Sequence, residues 1–313
     1  MFNQILAKAN VTIDTSLKSL SNWSFVASLV LAAVCWGFGT VMSKSVLAQI
    51  PPLTLLVVQL AVSLTFLWTI IAAQRLPVPL HRETLRLGLT GLLNPGLAYT
   101  LGLLGLTLTT ASLSSLIWAA EPILILGLAW LILHERLTRP LITFSVLAVI
   151  GALLVIGIGS NSGGAGSLLG NLLILAGVFC CAIYTVFTRR IVGNVEPVLL
   201  TALQQTFALV WALAIWPIEL REGITSLATI SPSTWAWAAA SGIIYYGLAF
   251  WFYIIGLKKI PASLAGFFLN LIPIFGVGGA YIFLGERLGV GQWVGALLIL
   301  AAVAGVSRFY REN

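Results

Sequence analysis

One carboxyl stands in the middle of a long apolar stretch, and its position is hard to explain without chemistry. Glu121 lies about eleven residues into the apolar window 110–133, which at about 1.5 Å of rise per residue puts it near the centre of a span formed by that window. A charge at such depth is unfavourable by about 3 kcal/mol on insertion scales, so acids there face a cavity or a partner and mark ion or substrate pathways. Two chemistries fit. Glu121 exchanges a proton in step with transport, or it accepts a hydrogen bond from an amine or hydroxyl on a substrate. A structural role stays open beside them, because Pro122 frees the carbonyl of Trp118 and a neutral glutamic acid could bond to backbone opened there. Ser114, Trp118, Glu121 and Ile125 share one helical face; if Glu121 faces a cavity, Trp118 lines it.

Other polar groups sit at similar depth. Gln59 and Gln204 fall near the middle of apolar windows; an amide in hydrocarbon must find a hydrogen bond, either on a substrate or by bridging neighbouring helices. Asn94-Pro95 interrupts another window and reads as a hinge or an unwound binding segment. Trp36-Gly37-Phe38-Gly39-Thr40 combines a large aromatic with two glycines that permit close helix approach, which makes Trp36 and Thr40 candidates for a cavity wall. Tyr99, Tyr184 and Tyr245 carry apolar bodies with hydroxyls that need partners when buried. Tyr246 and Tyr253 share that property, and the sequence leaves open which tyrosines line a cavity. Asn270, three residues before Pro273, completes the substrate-binding candidates. Glu135 and Glu286, beside Arg136 and Arg287, read as a structural ion pair or a contact with the next helix.

Several chemistries find no residues. The histidines are His81 and His134, with no Cys/His cluster at metal-ligand spacing. Gly163-Gly164-Ala165-Gly166 lacks the lysine of a phosphate-binding loop and reads as a linker. No serine sits in a nucleophile elbow. Neither a metal nor a cofactor is expected, and Cys35, Cys180 and Cys181 read as small hydrophobes.

The elements that must position these groups are membrane spans. Hydrophobic residues make up 59% of the chain and charged residues 8%, against about 25% charged in an ordinary soluble domain. Ten windows are long and apolar enough to span, since a crossing takes about 20 residues: approximately 25–46, 53–74, 85–105, 110–133, 140–160, 168–190, 196–217, 234–256, 261–284 and 289–309. They are continuously apolar rather than alternating, which favours helices over a barrel. The chain also repeats itself. Cys35, Thr40, Lys44, Pro52 and Gln59 recur 145 residues later as Cys180, Thr185, Arg189, Pro197 and Gln204. Gly91, Pro122 and Glu135-Arg136-Leu137 recur 151 residues later as Gly242, Pro273 and Glu286-Arg287-Leu288; an insertion within the polar stretch 219–233 accounts for the change. Internal repeats in a membrane protein point to transport.

With both termini placed inside, the 16 lysines and arginines divide thirteen to three, and only Lys44, Arg221 and Arg287 lie outside. Five helices per half makes the repeats inverted. Topology and anionic inner-leaflet lipid account for the net charge of +7 without nucleic acid. The expected organisation is an interfacial or cytoplasmic segment 1–24, one five-helix repeat over 25–160, a linker 161–167, a second repeat over 168–309, and a cytoplasmic tail 310–313. Helical spacing of apolar residues in 1–22 suggests a helix on the inner membrane surface, with a disordered tail as the alternative. Gly291 and Gly295 form a small-xxx-small pattern that could serve a homodimer or packing within the chain.

These residues resemble the drug/metabolite transporter superfamily, specifically the ten-helix EamA-type transporters. The likeness spans about 25–309 and rests on Trp36-Gly37-Phe38-Gly39 and on two stretches, Pro122 to Leu137 and Pro273 to Leu288, that run from a proline to Glu-Arg-Leu. It implies an all-α fold of ten transmembrane helices in two inverted five-helix repeats, a central cavity, and alternating access in a bacterial plasma membrane. It also implies that 140–160 and 289–309 are peripheral. The halves differ at one telling place, where Glu121-Pro122 is matched by Ile272-Pro273. The expected function is export of a small organic metabolite: an amino acid, an analogue or an aromatic compound. Flipping of a lipid-linked carrier is the alternative. An intramembrane enzyme or channel is disfavoured, since an enzyme would show paired deep titratable groups.

Overall fold

The computed structural model of the chain describes residues 2–78, 81–118, 120–134, 138–156, 167–192, 195–221, 230–287 and 289–312. The linker 161–167 apart from Ser167, the first Glu-Arg-Leu copy at 135–137, and residues 222–229 of the polar insertion lie outside them, as do the side chains of 1–23. The described residues are helical, with no strand among them. Among them, seven helical stretches are long and apolar enough to cross a membrane. Four are continuous and lie in α1 (Phe2–Val46), α2 (Pro52–Ala73), α8 (Leu168–Ile191) and α9 (Pro197–Arg221). The other three, Thr84–Thr107, Pro232–Leu257 and Ala262–Phe283, are each built from two pieces.

The interruptions follow from sequence. Between α3 (Arg82–Gly91) and α4 (Ala98–Thr107) the turns widen over Leu92–Leu97, where Pro95 has no N–H to give and Asn94 leaves helical geometry at φ −146°, ψ 120°. The same widening recurs over Gly242–Leu248 between α10 (Pro232–Ser241) and α11 (Ala249–Leu257). The window 110–133 stops as α5 (Ala111–Trp118) and restarts as α6 (Glu121–Leu133), with Pro122 in the first turn of the new helix, where a missing N–H is tolerated. Its counterpart runs from α12 (Ala262–Phe268) through a tight turn at Leu269–Leu271 into α13 (Ile272–Phe283), with Pro273 placed alike.

Contacts recur at the sequence offsets. Gly91 lies against the Gln204 carbonyl, and Gly242 lies against that of Gln59. Lys44 Nζ donates to the carbonyls of Leu106 (2.9 Å) and Thr109 (2.7 Å) at the end of α4. Arg189 Nη1 donates to that of Leu257 (2.8 Å) at the end of α11, a cation meeting the negative end of a helix in both cases. Two helix starts in the first half are capped by carboxylates of the second, which satisfies N–H groups that lack an intrahelical partner. Glu219 accepts from the amides of Leu53 (2.8 Å) and Thr54 (2.7 Å). Glu286 accepts from the amides of Ala111 (3.1 Å) and Ser112 (2.9 Å) and from the Ser112 hydroxyl. The expectation for Glu286 is an ion pair or a contact with the next helix; its partner is instead the start of α5 in the other half, while Arg287 sits 4.1 Å above the Tyr281 ring. α7 (Arg139–Ile156) and α14 (Val290–Glu312) pack on each other, with Gly151 against the Gly295 carbonyl and Gly305 against the Phe144 ring. Gly295 thus serves a contact within the chain.

A Cβ on Gly91 would collide with the Gln204 backbone, and one on Gly242 would lie 2.6 Å from the Gln59 oxygen. Gly91→Ala and Gly242→Ala should each destabilise the detergent-purified protein by about 1–3 kcal/mol. Gly127→Ala, where nothing lies within 4 Å, should be neutral or mildly stabilising. Thermal melts of the three variants check the difference.

Candidate functional site

The helix interruptions meet. Asn94 comes from the first widened turn and Tyr245 from the second; Trp118 and Glu121 flank the break between α5 and α6, and Ile272 opens α13. Together with Trp36 and Thr40 of α1, Tyr99 of α4, Cys181, Tyr184 and Thr185 of α8, and Tyr253 of α11, they line one cavity. All of these residues are buried. About 20 Å³ of the cavity is accessible to the centre of a water molecule, room for about one water, so an organic solute enters only if the walls part.

The walls are aromatic. Trp36 packs edge-on to Tyr253 (5.2 Å between centroids) and Phe250 (5.3 Å). Tyr99 lies 5.2 Å from Tyr245 and 5.8 Å from Trp118. These edge-on and tilted arrangements suit ring quadrupoles. The hydroxyls are mostly engaged: Thr40 donates to the Trp36 carbonyl (3.0 Å) and reaches the Tyr245 hydroxyl (3.3 Å). Thr185 and Tyr253 pair at 3.4 Å, and Tyr184 donates to Gln204 Oε1 (2.8 Å). Three groups are left over. Trp36 Nε1 and Asn94 Oδ1 are buried without a partner, and the Glu121 carboxyl hydrogen-bonds to none of the described residues. Unpaired buried polar groups cost about 1–3 kcal/mol each, and three facing one cavity equip it to receive donors and an acceptor.

The repeat offsets relate opposing walls. Trp36 answers Cys181, Thr40 answers Thr185, Asn94 answers Tyr245, and Glu121 answers Ile272. Of the eleven candidates read from sequence, Trp36, Thr40, Asn94, Tyr99, Trp118, Glu121, Tyr184 and Tyr245 line the cavity. Gln59, Gln204 and Asn270 stand outside the lining. Gln59 Nε2 donates to Ser43 (2.9 Å) and Ser241 (2.7 Å). Gln204 accepts from Tyr184 and donates to Thr90 (2.8 Å), and Thr90 is the counterpart of Ser241 at the 151-residue offset. Asn270 donates to the Phe267 carbonyl (3.0 Å) in the tight turn. In each case a nearby protein group takes the amide N–H, and for Gln204 the oxygen is engaged as well. Cys181, Thr185 and Ile272 were missed as candidates, yet each is the repeat partner of a residue chosen on its own merits.

A polytopic helical membrane protein with a cavity where interrupted helices meet has the build of a transporter. The chain is a member of the EamA-like transporter family, which it matches over residues 23–157 and 168–308. It is 30% identical over 298 residues to a Salmonella typhimurium protein described as a probable amino-acid metabolite efflux pump, a match covering 89% of this chain and 92% of that one. To the uncharacterized transporter YvbV of Bacillus subtilis it is 27% identical over 296 residues, 92% of each chain. To YetK of the same organism it is 24% identical over 203 residues, 61% of that protein's length. A crystal structure 19% identical in sequence shares the fold, with a TM-score of 0.70 over 94% of this chain and 98% of that one.

Gln59→Leu strands the hydroxyls of Ser43 and Ser241 and should cost about 0.5–2 kcal/mol in a thermal melt, with transport KM within about twofold of wild type. Trp118→Ala should instead move KM. An unchanged melt with a shifted KM for Gln59→Leu would assign that glutamine to the cavity.

Proposed function

We propose that this transporter exports a small organic metabolite by alternating access, through a site shared by ten spans in two inverted five-helix repeats with both termini on the cytoplasmic face of a plasma membrane. The distribution of lysine and arginine supports the orientation, and contacts recurring at offsets of 145 and 151 residues support the repeats. The observation that carries the reading is a buried carboxyl, with no hydrogen bond to a described residue, lining a cavity where four helices are interrupted. Discontinuous helices around a midplane site are how membrane transporters expose backbone and side chains to cargo. The description of the Salmonella relative favours an amino-acid-derived or aromatic metabolite as cargo and favours efflux.

In this reading Glu121 contacts cargo and is the group through which a proton couples to its movement. The closed cavity is one stage of the cycle. In the proposed orientation the Glu219 and Glu286 caps both lie on the outer side, and their release parts the two halves there.

Untargeted metabolite profiling of cells and medium, with wild type and Glu121→Gln expressed in one host at equal membrane abundance, tests the reading. A compound exported by wild type should fall about tenfold or more in the variant, the worth of a lost charge-assisted hydrogen bond. Equal export of that compound by both proteins would make Glu121 structural and end the coupling role.

A further inference from the structure

The chemistry of the lining restricts the charge of the cargo. Among the described residues, one carboxyl lines the cavity and no lysine, arginine or histidine does. Lys44 of α1 and Arg189 of α8 are engaged elsewhere, on the ends of α4 and α11. Helix starts are a second way to hold an anion, and two of them open at the cavity, at Glu121 and Ile272. Both are poor seats for one. Their next residues, Pro122 and Pro273, have no N–H; the Ile272 amide already donates to the Leu269 carbonyl, and that of Ile123 to the Ala120 carbonyl (3.2 Å).

Cations are served from several sides. Glu121 supplies the one formal counter-charge, and Asn94 Oδ1 is a second acceptor without a partner. Trp36, Tyr99, Trp118 and Tyr245 present rings whose faces attract positive charge, most strongly where water is excluded. Trp36 Nε1, a buried donor of the lining without a partner, is neutral and suits a carbonyl, ether or hydroxyl rather than a carboxylate. At the repeat offset from Glu121 stands Ile272, so one positive charge is matched and a second is not.

We propose, on the reading that this cavity is the substrate site, that it selects organic monoamines in their ammonium form whose carboxylate is absent or masked, over free amino acids and organic acids. The ammonium pairs with Glu121, an apolar or aromatic body lies among the rings, and a neutral acceptor takes the Trp36 N–H. A free amino acid fits worse because its carboxylate would be buried beside Glu121 with no cation to balance it, an arrangement that specific sites reject strongly.

Isothermal titration of the full-length wild type in detergent with phenethylamine, phenylalanine amide, phenylalanine and 3-phenylpropionate tests the ranking, since the four share one ring and differ in charge. The amine and the amide should bind at least about tenfold more tightly than phenylalanine, with phenylpropionate weakest. Glu121→Gln, close to isosteric, should bring the first three within about threefold of one another. Phenylalanine or phenylpropionate binding as tightly as the amide to wild type, with Glu121→Gln and Trp118→Ala still altering that binding, would overturn the amine preference and leave the cavity as the site. Binding insensitive to both variants, or no binding by any of the four, would overturn the proposal together with its premise that this cavity receives the cargo.

Discussion

In hydrocarbon a polypeptide has no water to bond to, so each interruption of a helix must be repaired from within the protein. This chain interrupts four helices and repairs them with side chains that would otherwise be out of place in a membrane. Gln205, held by Ser63, donates to the Tyr246 carbonyl in the second widened turn (2.8 Å). Thr100 donates to the Gly96 carbonyl beside the first (2.8 Å) and accepts from the Trp211 indole (3.1 Å). Asn270 bonds to the Phe267 carbonyl in the tight turn ahead of α13. The break at Glu121 differs, because there the polar side chain turns away from backbone and into the cavity.

Duplication separates what the scaffold needs from what the site needs. Close backbone contact demands a glycine wherever helices cross, and both halves supply it, Gly91 on Gln204 and Gly242 on Gln59. A helix end needs a cation, and Lys44 and Arg189 provide one in each half. Those demands are set by backbone geometry, which the halves share. The cavity obeys no such rule: a carboxyl in one wall with isoleucine at the equivalent place, or an indole with a thiol, makes a site with direction built into it. The lining is thus chemically one-sided between scaffolds whose helix contacts repeat.

How far the sequence foretold this depends on the kind of residue. Spans followed from length and hydropathy because burial in lipid rewards little else. Glu121 stood out because an acid at that depth has few excuses. Mid-span amides were harder: Asn94 and Gln59 look alike on paper, and both keep a buried oxygen without a partner, yet Asn94 lines the cavity while the Gln59 N–H groups are taken by Ser43 and Ser241. The difference lies in partners on α1 and α10, far away in the chain, and local pattern contains no record of them. The offsets contained more than the residue types did, since applying 145 or 151 to Trp36, Thr40 and Glu121 reaches Cys181, Thr185 and Ile272. The windows 140–160 and 289–309 contribute no described residue to the lining; their helices pack on each other.

On the proposed reading, a cargo of metabolite size and a cavity with room for about one water together demand motion, and the contacts limit where it can occur. The crossings at Gly91 and Gly242 are pinned by glycine against carbonyl and by glutamine bridges from Gln59 and Gln204. Sliding there would break several buried hydrogen bonds at once, in a medium that offers no replacement. At the joints beside Pro122 and Pro273 the helices restart, each with its proline in the first turn of the new helix, and Gly37 packs against the Ile272 carbonyl at the second. On the proposed reading, bending at those joints is what would move Trp118, Glu121 and Ile272 away from the cavity while the crossings stay pinned.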